Sequence, residues 1–407
     1  MISTKKMWVL SGTATLVAAA ASSANMAACT VNATNAADGG STSSSGSSSG
    51  SGSGSSSGAD GGSSSGPDSG TAQDSGSDAG FCFSGTSPAA GETLVALACS
   101  QASPSGIAVH KGVVYWTDYT AAGTVMSEPA AGGPITTIAI NQDWPYAIAA
   151  DDNNVYWTNY DGQYAPGGGS GTSGTVMKMA LTGGGTPIAL ATSLQGPTAL
   201  AIDQTNVYFA QAVGGTIKSV PIASTGSGPV TVLATLQTPY GIAVQNNVVY
   251  WTNYLGTTGA NGNGSASVMS VSNSGTGTPA TLTTATNASG AYGIAVNATT
   301  IFFTAQNNTG NATEVESLPL SGGNPTVLAS GQLQATGIAV DGTNIYWTDW
   351  DPNVGTVSSM PLPTASGPGP ITVLAQNSDE ALRIAVDAQG IYYTATGGGR
   401  VWRLTPP

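Results

Sequence analysis

Gly106-Ile-Ala-Val-His-Lys-Gly-Val-Val-Tyr-Trp-Thr-Asp-Tyr119 joins an apolar Ile-Ala-Val triplet to an aromatic Tyr-Trp-Thr segment through a short polar turn. The same design returns at Ile148 to Tyr160, Leu200 to Gln211, Ile242 to Tyr254, Ile294 to Gln306, Ile338 to Trp350 and Ile384 to Thr396. Seven copies offset by about 41 to 52 residues match the period of a propeller blade. Each copy continues with a segment like Gly123-Thr-Val-Met-Ser127 and, after a Gly/Pro turn, one like Ile135-Thr-Thr-Ile-Ala139. Four short strands per repeat is the blade unit, so the chain is expected to be all-β, a seven-bladed propeller.

The triplet is apolar at consecutive positions rather than alternating, the pattern of a strand covered on both faces. It is therefore assigned to the innermost strand, with the Tyr-Trp-Thr strand filling the widening gap between blades. Ahead of the first triplet, Glu92-Thr-Leu-Val-Ala-Leu-Ala98 reads as the fourth strand of a blade. After the last one, Gly399-Arg-Val-Trp-Arg-Leu404 is a third strand with no fourth behind it. Residues 93 to 98 should thus lie antiparallel to about 400 to 405 and close the ring, which removes two exposed sheet edges.

Composition limits what such a ring could serve. Charged residues are 7% of the chain and the formal net charge is −13, of which the propeller carries about −10 with no basic run. No row of phosphates could be neutralised by this surface, so nucleic acid is excluded as a partner, as is anionic lipid bound through the folded domain.

The N-terminal part divides in two. Residues 1–28 read as an export signal, with Lys5 and Lys6 ahead of an apolar Met7 to Ala21 too short to span a bilayer comfortably. Met26-Ala-Ala-Cys29 resembles a bacterial lipobox, which implies lipidation at Cys29, with ordinary secretion and an incidental cysteine as the alternative. Thr30 in place of Asp after that cysteine points to the outer membrane or cell surface. Residues 29–80 are rich in Ser, Gly and Asp and poor in apolar side chains, the composition of a disordered tether. Such a coil would average roughly 40 Å end to end and hold residues 81–407, the propeller, off the membrane. Membrane contact is expected only through the lipid. In an exported chain Cys82 and Cys99 are expected to form a disulfide, since the pair lacks the companions of a metal site.

Tyr115-Trp-Thr-Asp118 and Tyr346-Trp-Thr-Asp349, with Tyr156-Trp-Thr-Asn159 and Tyr250-Trp-Thr-Asn253, resemble the YWTD propellers of the low-density lipoprotein receptor family. That resemblance implies a propeller in which the motif Asp ties adjacent blades together. Family propellers have six blades and flank growth-factor-like modules, whereas this chain has seven copies and no such modules, so receptor function is not implied. The chain looks closer to exported bacterial lipoproteins with similar repeats.

Candidate chemistry is sparse. His110, the sole histidine, sits in a short turn opposite the long loops and reads as solvated. Virginiamycin-lyase-like propellers use histidine, and gluconolactonase-like ones hold a channel metal with Glu, Asn and Asp; neither pattern is matched, so no metal, cofactor or catalytic residue is expected. Loop length varies on one face only, at Asp161–Gly174 and Leu255–Ala266, which marks it as the working face. Aromatics gather there, including Trp144, Tyr146, Tyr240, Tyr292 and Trp350. Arg383 takes a position that is Gly or Ala in the other six copies, with Glu380 an available ion-pair partner. These six residues are the ligand-binding candidates of a monomeric binding or scaffolding module recognising a peptide, protein or glycan. The alternative is a hydrolase or lyase working at the channel mouth through carboxylates and Arg383.

Overall fold

The computed structural model describes residues 29–31, 87–88, 93–160, 171–181, 185–235, 237–254, 266–284, 288–307 and 312–405. These residues form a seven-bladed propeller of antiparallel sheets, in which Pro104–His110, Val113–Asp118, Gly123–Pro129 and Thr136–Gln142 make the first blade from the axis outward. The seventh blade is completed from the N-terminus. Thr93–Ala98 pairs antiparallel with Arg400–Thr405, with Leu94 opposite Leu404 and Ala96 opposite Trp402, as the two half-blades in the sequence require. A short strand, Cys29–Val31, adds to the outer edge of Thr93–Ala98, and Ser87–Pro88 adds to the edge of the sixth blade. Residues 1–28, expected to be an export signal, and residues 32–86, which hold most of the expected tether and Cys82, lie outside the described residues. Cys99 is disulfide-bonded.

The aromatic strands fill the seams. Trp116, Trp157, Trp251, Trp347 and Trp402 are all fully buried, and the apolar clusters straddle neighbouring blades. Tyr208 of blade three, for example, packs with Ile242, Val249 and Trp251 of blade four. On the short-turn face, Asp203 and Asp341 each fold a tight turn by accepting two backbone N–H groups and also receive the hydroxyl of the motif Tyr, Tyr208 or Tyr346. Burial alone would raise these carboxyls, but the converging donors outweigh it and hold both below the ordinary value.

The motif Thr ties blades together, and at the motif Asp position, where the family resemblance implied the tie, it is Asn159 and Asn253 that reach the preceding blade, through Gln142 and Gln237. Thr117 accepts the N–H of Gly106 in its own blade and donates to the carbonyl of Tyr146 in the next, both at 2.9 Å. Thr252 repeats this with Gly241 and Tyr292, Thr348 with Gly337 and Leu382, and Thr394 with Arg383 and Ser105 across the closure seam. A hydroxyl can do this because it both donates and accepts; an ionised carboxylate only accepts. Asp118 and Asp349 instead take Thr124 and Thr356 of their own blades, at 2.8 and 2.7 Å. A second seam contact comes from glutamines after the outer strands: Gln142 receives Trp157 and Asn159 of the next blade, and Gln332 receives Trp347.

Candidate functional site

Each innermost strand enters the axis through an irregularity. The pairing register slips between Pro104 and Ile107, between Pro239 and Ile242, and at the matching place in the other blades. This bulge aims two successive rings of side chains at the channel. The lower ring is Ile107, Ile148, Leu200, Ile242, Ile294, Ile338 and Ile384, an aliphatic floor. Above it stand Gly106, Gly241, Gly293, Gly337, Ala147 and Ala199, with Arg383 in the seventh place. Four of these must be small. A Cβ on Gly106 would lie 2.3 Å from the Tyr146 carbonyl, one on Gly293 2.4 Å from that of Thr336, and Gly241 and Gly337 are nearly as tight.

Together the rings line an axial cavity of about 190 Å³ in which, among the described residues, Arg383 is the one charged lining residue. Its guanidinium does not pair with Glu380. That carboxylate accepts the Thr396 hydroxyl at 3.0 Å, and Glu380 sits in a left-handed turn. Arg383 reaches instead from blade seven across the mouth to blades two and four. Nη2 donates to the Tyr146 hydroxyl at 3.2 Å, and the guanidinium carbon lies 5.5 Å from the Tyr146 ring centre and 5.2 Å from that of Tyr240. Among the described residues no carboxylate forms an ion pair with it; the ion pairs found are Arg400 with Asp379, and His110 and Lys111 with Asp152. His110 thus lies in a surface pair on the short-turn face, away from the cavity.

The rim is aromatic but less open than the sequence suggests. Tyr240, Tyr146 and Tyr292 are buried, with Tyr240 and Tyr292 edge to face at 5.3 Å. Burial raises the Tyr240 hydroxyl well above its ordinary pKa, and neighbouring Tyr146 raises it further. Trp144 is half-exposed, packed 4.9 Å from Tyr119, and its φ of 52° is a conformation that bulky residues rarely adopt. Trp350 is half-exposed too, but joins no ring pair among the described residues. The structure therefore gathers Tyr146, Tyr240, Tyr292 and Arg383 into one cluster, sets Trp144 beside it, and leaves Trp350 apart. Both long loops lie mostly outside the described residues.

Sequence reading missed the hydroxyls of the mouth. Thr198, lining the cavity, is 5% exposed and its Oγ1 has no hydrogen-bond partner; Ser105 at the matching place in blade one is in the same state. Their only advance signal was their register one residue before the Gly/Ala ring.

No protein-family model matches this chain, and no curated protein is similar to it in sequence. Similarity appears among solved structures. A streptogramin B lyase superimposes with a TM-score of 0.59 at 17% identity, covering 77% of this chain and 97% of the other. The WD40 propeller domain of Doa1 gives 0.53 at 10% identity over 79% and 97%. The tricorn protease gives 0.53 at 9% identity over 75% of this chain and 33% of its own. The shared property is the fold. At these identities the likeness carries no activity, and among the described residues no three His, Cys, Asp or Glu side chains gather as a metal site would require.

Proposed function

We propose that this chain is an exported binding propeller of the YWTD repeat type, held at the outer membrane or cell surface through a lipidated Cys29, that takes a peptide or glycan at its axial mouth. The observation behind the reading is Arg383. A permanently charged guanidinium set among tyrosines, without a carboxylate partner among the described residues, lowers stability relative to an apolar residue. Such a residue is retained where a ligand supplies the missing anion. The half-exposed Trp144, in its strained conformation, fits a contact residue beside that mouth. A hydrolase or lyase would call for acids at the same place, and the described cavity lining offers none.

A peptide and glycan array probed with the purified chain tests the reading. Hits should be lost in Trp144→Ala with little change in melting temperature, and lost in Tyr240→Ala with a clear loss of stability, since that ring is 3% exposed. A folded Trp144→Ala protein that keeps every hit would move the working surface elsewhere. Cys29→Ala should shift the protein from membranes to the soluble exported fraction, and continued membrane retention would remove the anchor.

A further inference from the structure

Resting on that reading, we infer that the axial cavity is a specific site for a carboxylate joined to a short aliphatic group, its oxygens on Arg383 and Thr198 and its aliphatic part on the Ile/Leu floor. The argument starts from the shape of the lining. Six of the seven positions at this level carry Gly or Ala, and four cannot accept a Cβ at all because the next blade's carbonyl stands there. The space this leaves is about 190 Å³. Into it the chain projects one long side chain, and that side chain is a cation.

Among the lining side chains the polar ones are Arg383 and Thr198, and both can donate. The described hydrogen bonds of Arg383 use one of its five guanidinium N–H donors, on the Tyr146 hydroxyl. Tyr240 also lies against the guanidinium, and the donors that the two tyrosines leave over can engage a carboxylate. Thr198 Oγ1, buried and unpartnered, is a hydroxyl able to donate to a ligand oxygen. One positive charge and a neutral donor match a monoanion. A phosphate dianion would keep an uncompensated charge in a confined site. The floor decides the remainder of the ligand. Seven aliphatic side chains offer no hydrogen bonds, so each sugar hydroxyl set against them would be stranded at a cost of about 1–3 kcal/mol. An aliphatic group loses nothing there. Free short-chain acids and the C-terminal residue of a peptide ending in Leu or Val share this chemistry.

Titration calorimetry separates the possibilities. The probes are isocaproate, its neutral amide, sulfate, and a short peptide ending in Leu with either a free or an amidated C-terminus. Isocaproate or the free-terminus peptide should bind, and the corresponding amide should be weaker by at least about 30-fold, as expected for losing a charged hydrogen-bonded pair. Sulfate should not compete at equal concentration. The stronger of the two carboxylate probes identifies the source, peptide terminus or free acid. Arg383→Met should abolish binding, and Thr198→Val, which removes an unpartnered hydroxyl and keeps the shape, should weaken it several-fold. If Arg383→Met does not fold by circular dichroism, Thr198→Val carries the test alone, and unchanged affinity there overturns the inference. Equal affinity for acid and amide, or undiminished binding by a folded Arg383→Met, overturns it too. If neither carboxylate probe binds while array ligands still do, this inference fails and the mouth remains a binding site of other chemistry.

Discussion

Glu128 is a carboxyl in a place built for a hydrocarbon, and replacing it should stabilise the propeller in a pH-dependent way. It lies in the third strand of blade one, fully buried. The register puts Val220, Val271, Leu318, Met360 and Leu404 at the same place in other blades, all of them buried. One oxygen accepts the Gly133 N–H at 3.2 Å and the other has no partner. Burial pushes its pKa up to about 8, against the lowering effect of that single bond. Folding at pH 7.5 therefore requires the group to take up a proton that the unfolded chain does not hold. By linkage a shift of this size costs several kcal/mol, so about 2–4 kcal/mol is expected after local relaxation. Because the folded pKa lies above the unfolded one, this penalty is absent below about pH 4.5 and grows as pH rises until it levels off above about pH 8. Glu128→Leu should thus gain about 2–4 kcal/mol at pH 7.5, several degrees in melting temperature. At pH 5 the gain should fall below about 1 kcal/mol, leaving the difference in apolar burial and the lost Gly133 bond. Chemical denaturation of both proteins at pH 5, 6.5, 7.5 and 8.5 measures it. A gain that does not change with pH, or no gain at pH 7.5, would show that Glu128 is solvated or paired and refute the reasoning.

The seams, the turns and the disulfide carry four further expected outcomes. Wild-type stability should rise as pH falls from about 8 toward 5, because burial also raises Asp118 to about 6 and Glu316 and Asp349 to about 7; a flat profile over that window would contradict it. Asp341→Ala should cost about 2–3 kcal/mol near neutral pH and less in acid, since a depressed carboxyl loses its contribution as the pH falls through its folded-state pKa, and acid titration of variant and wild type reads the convergence. Thr348→Val should cost about 1–2 kcal/mol by stranding the Gly337 N–H, the Leu382 carbonyl keeping the Thr336 hydroxyl, and a loss under about 0.5 kcal/mol in denaturant melts would show that the seam is held by packing alone. Reducing the Cys99 disulfide should lower the melting temperature without altering probe binding at the mouth, checked by melting and calorimetry in reductant.

The sequence by itself determined the blades, their number and the closing strand, because strand identity and turn chemistry are local and repeat seven times. It also marked Arg383, since one large cation among six Gly or Ala residues is visible from register alone. Where that cation goes was decided by the ring. Glu380 is three residues away and looks like a partner, yet its left-handed turn gives its carboxylate to Thr396. Tyr146 is 237 residues distant in sequence and receives the guanidinium because closing seven blades brings the mouths of blades two, four and seven around one axis. The same holds for Thr117 and its counterparts. Their place in the motif was plain, but a hydroxyl bridging two blades exists only once a neighbouring blade's carbonyl stands beside it. Seams and the mouth are contacts between repeats, and a repeat's own sequence states its strands but not the distance and angle at which the next repeat packs.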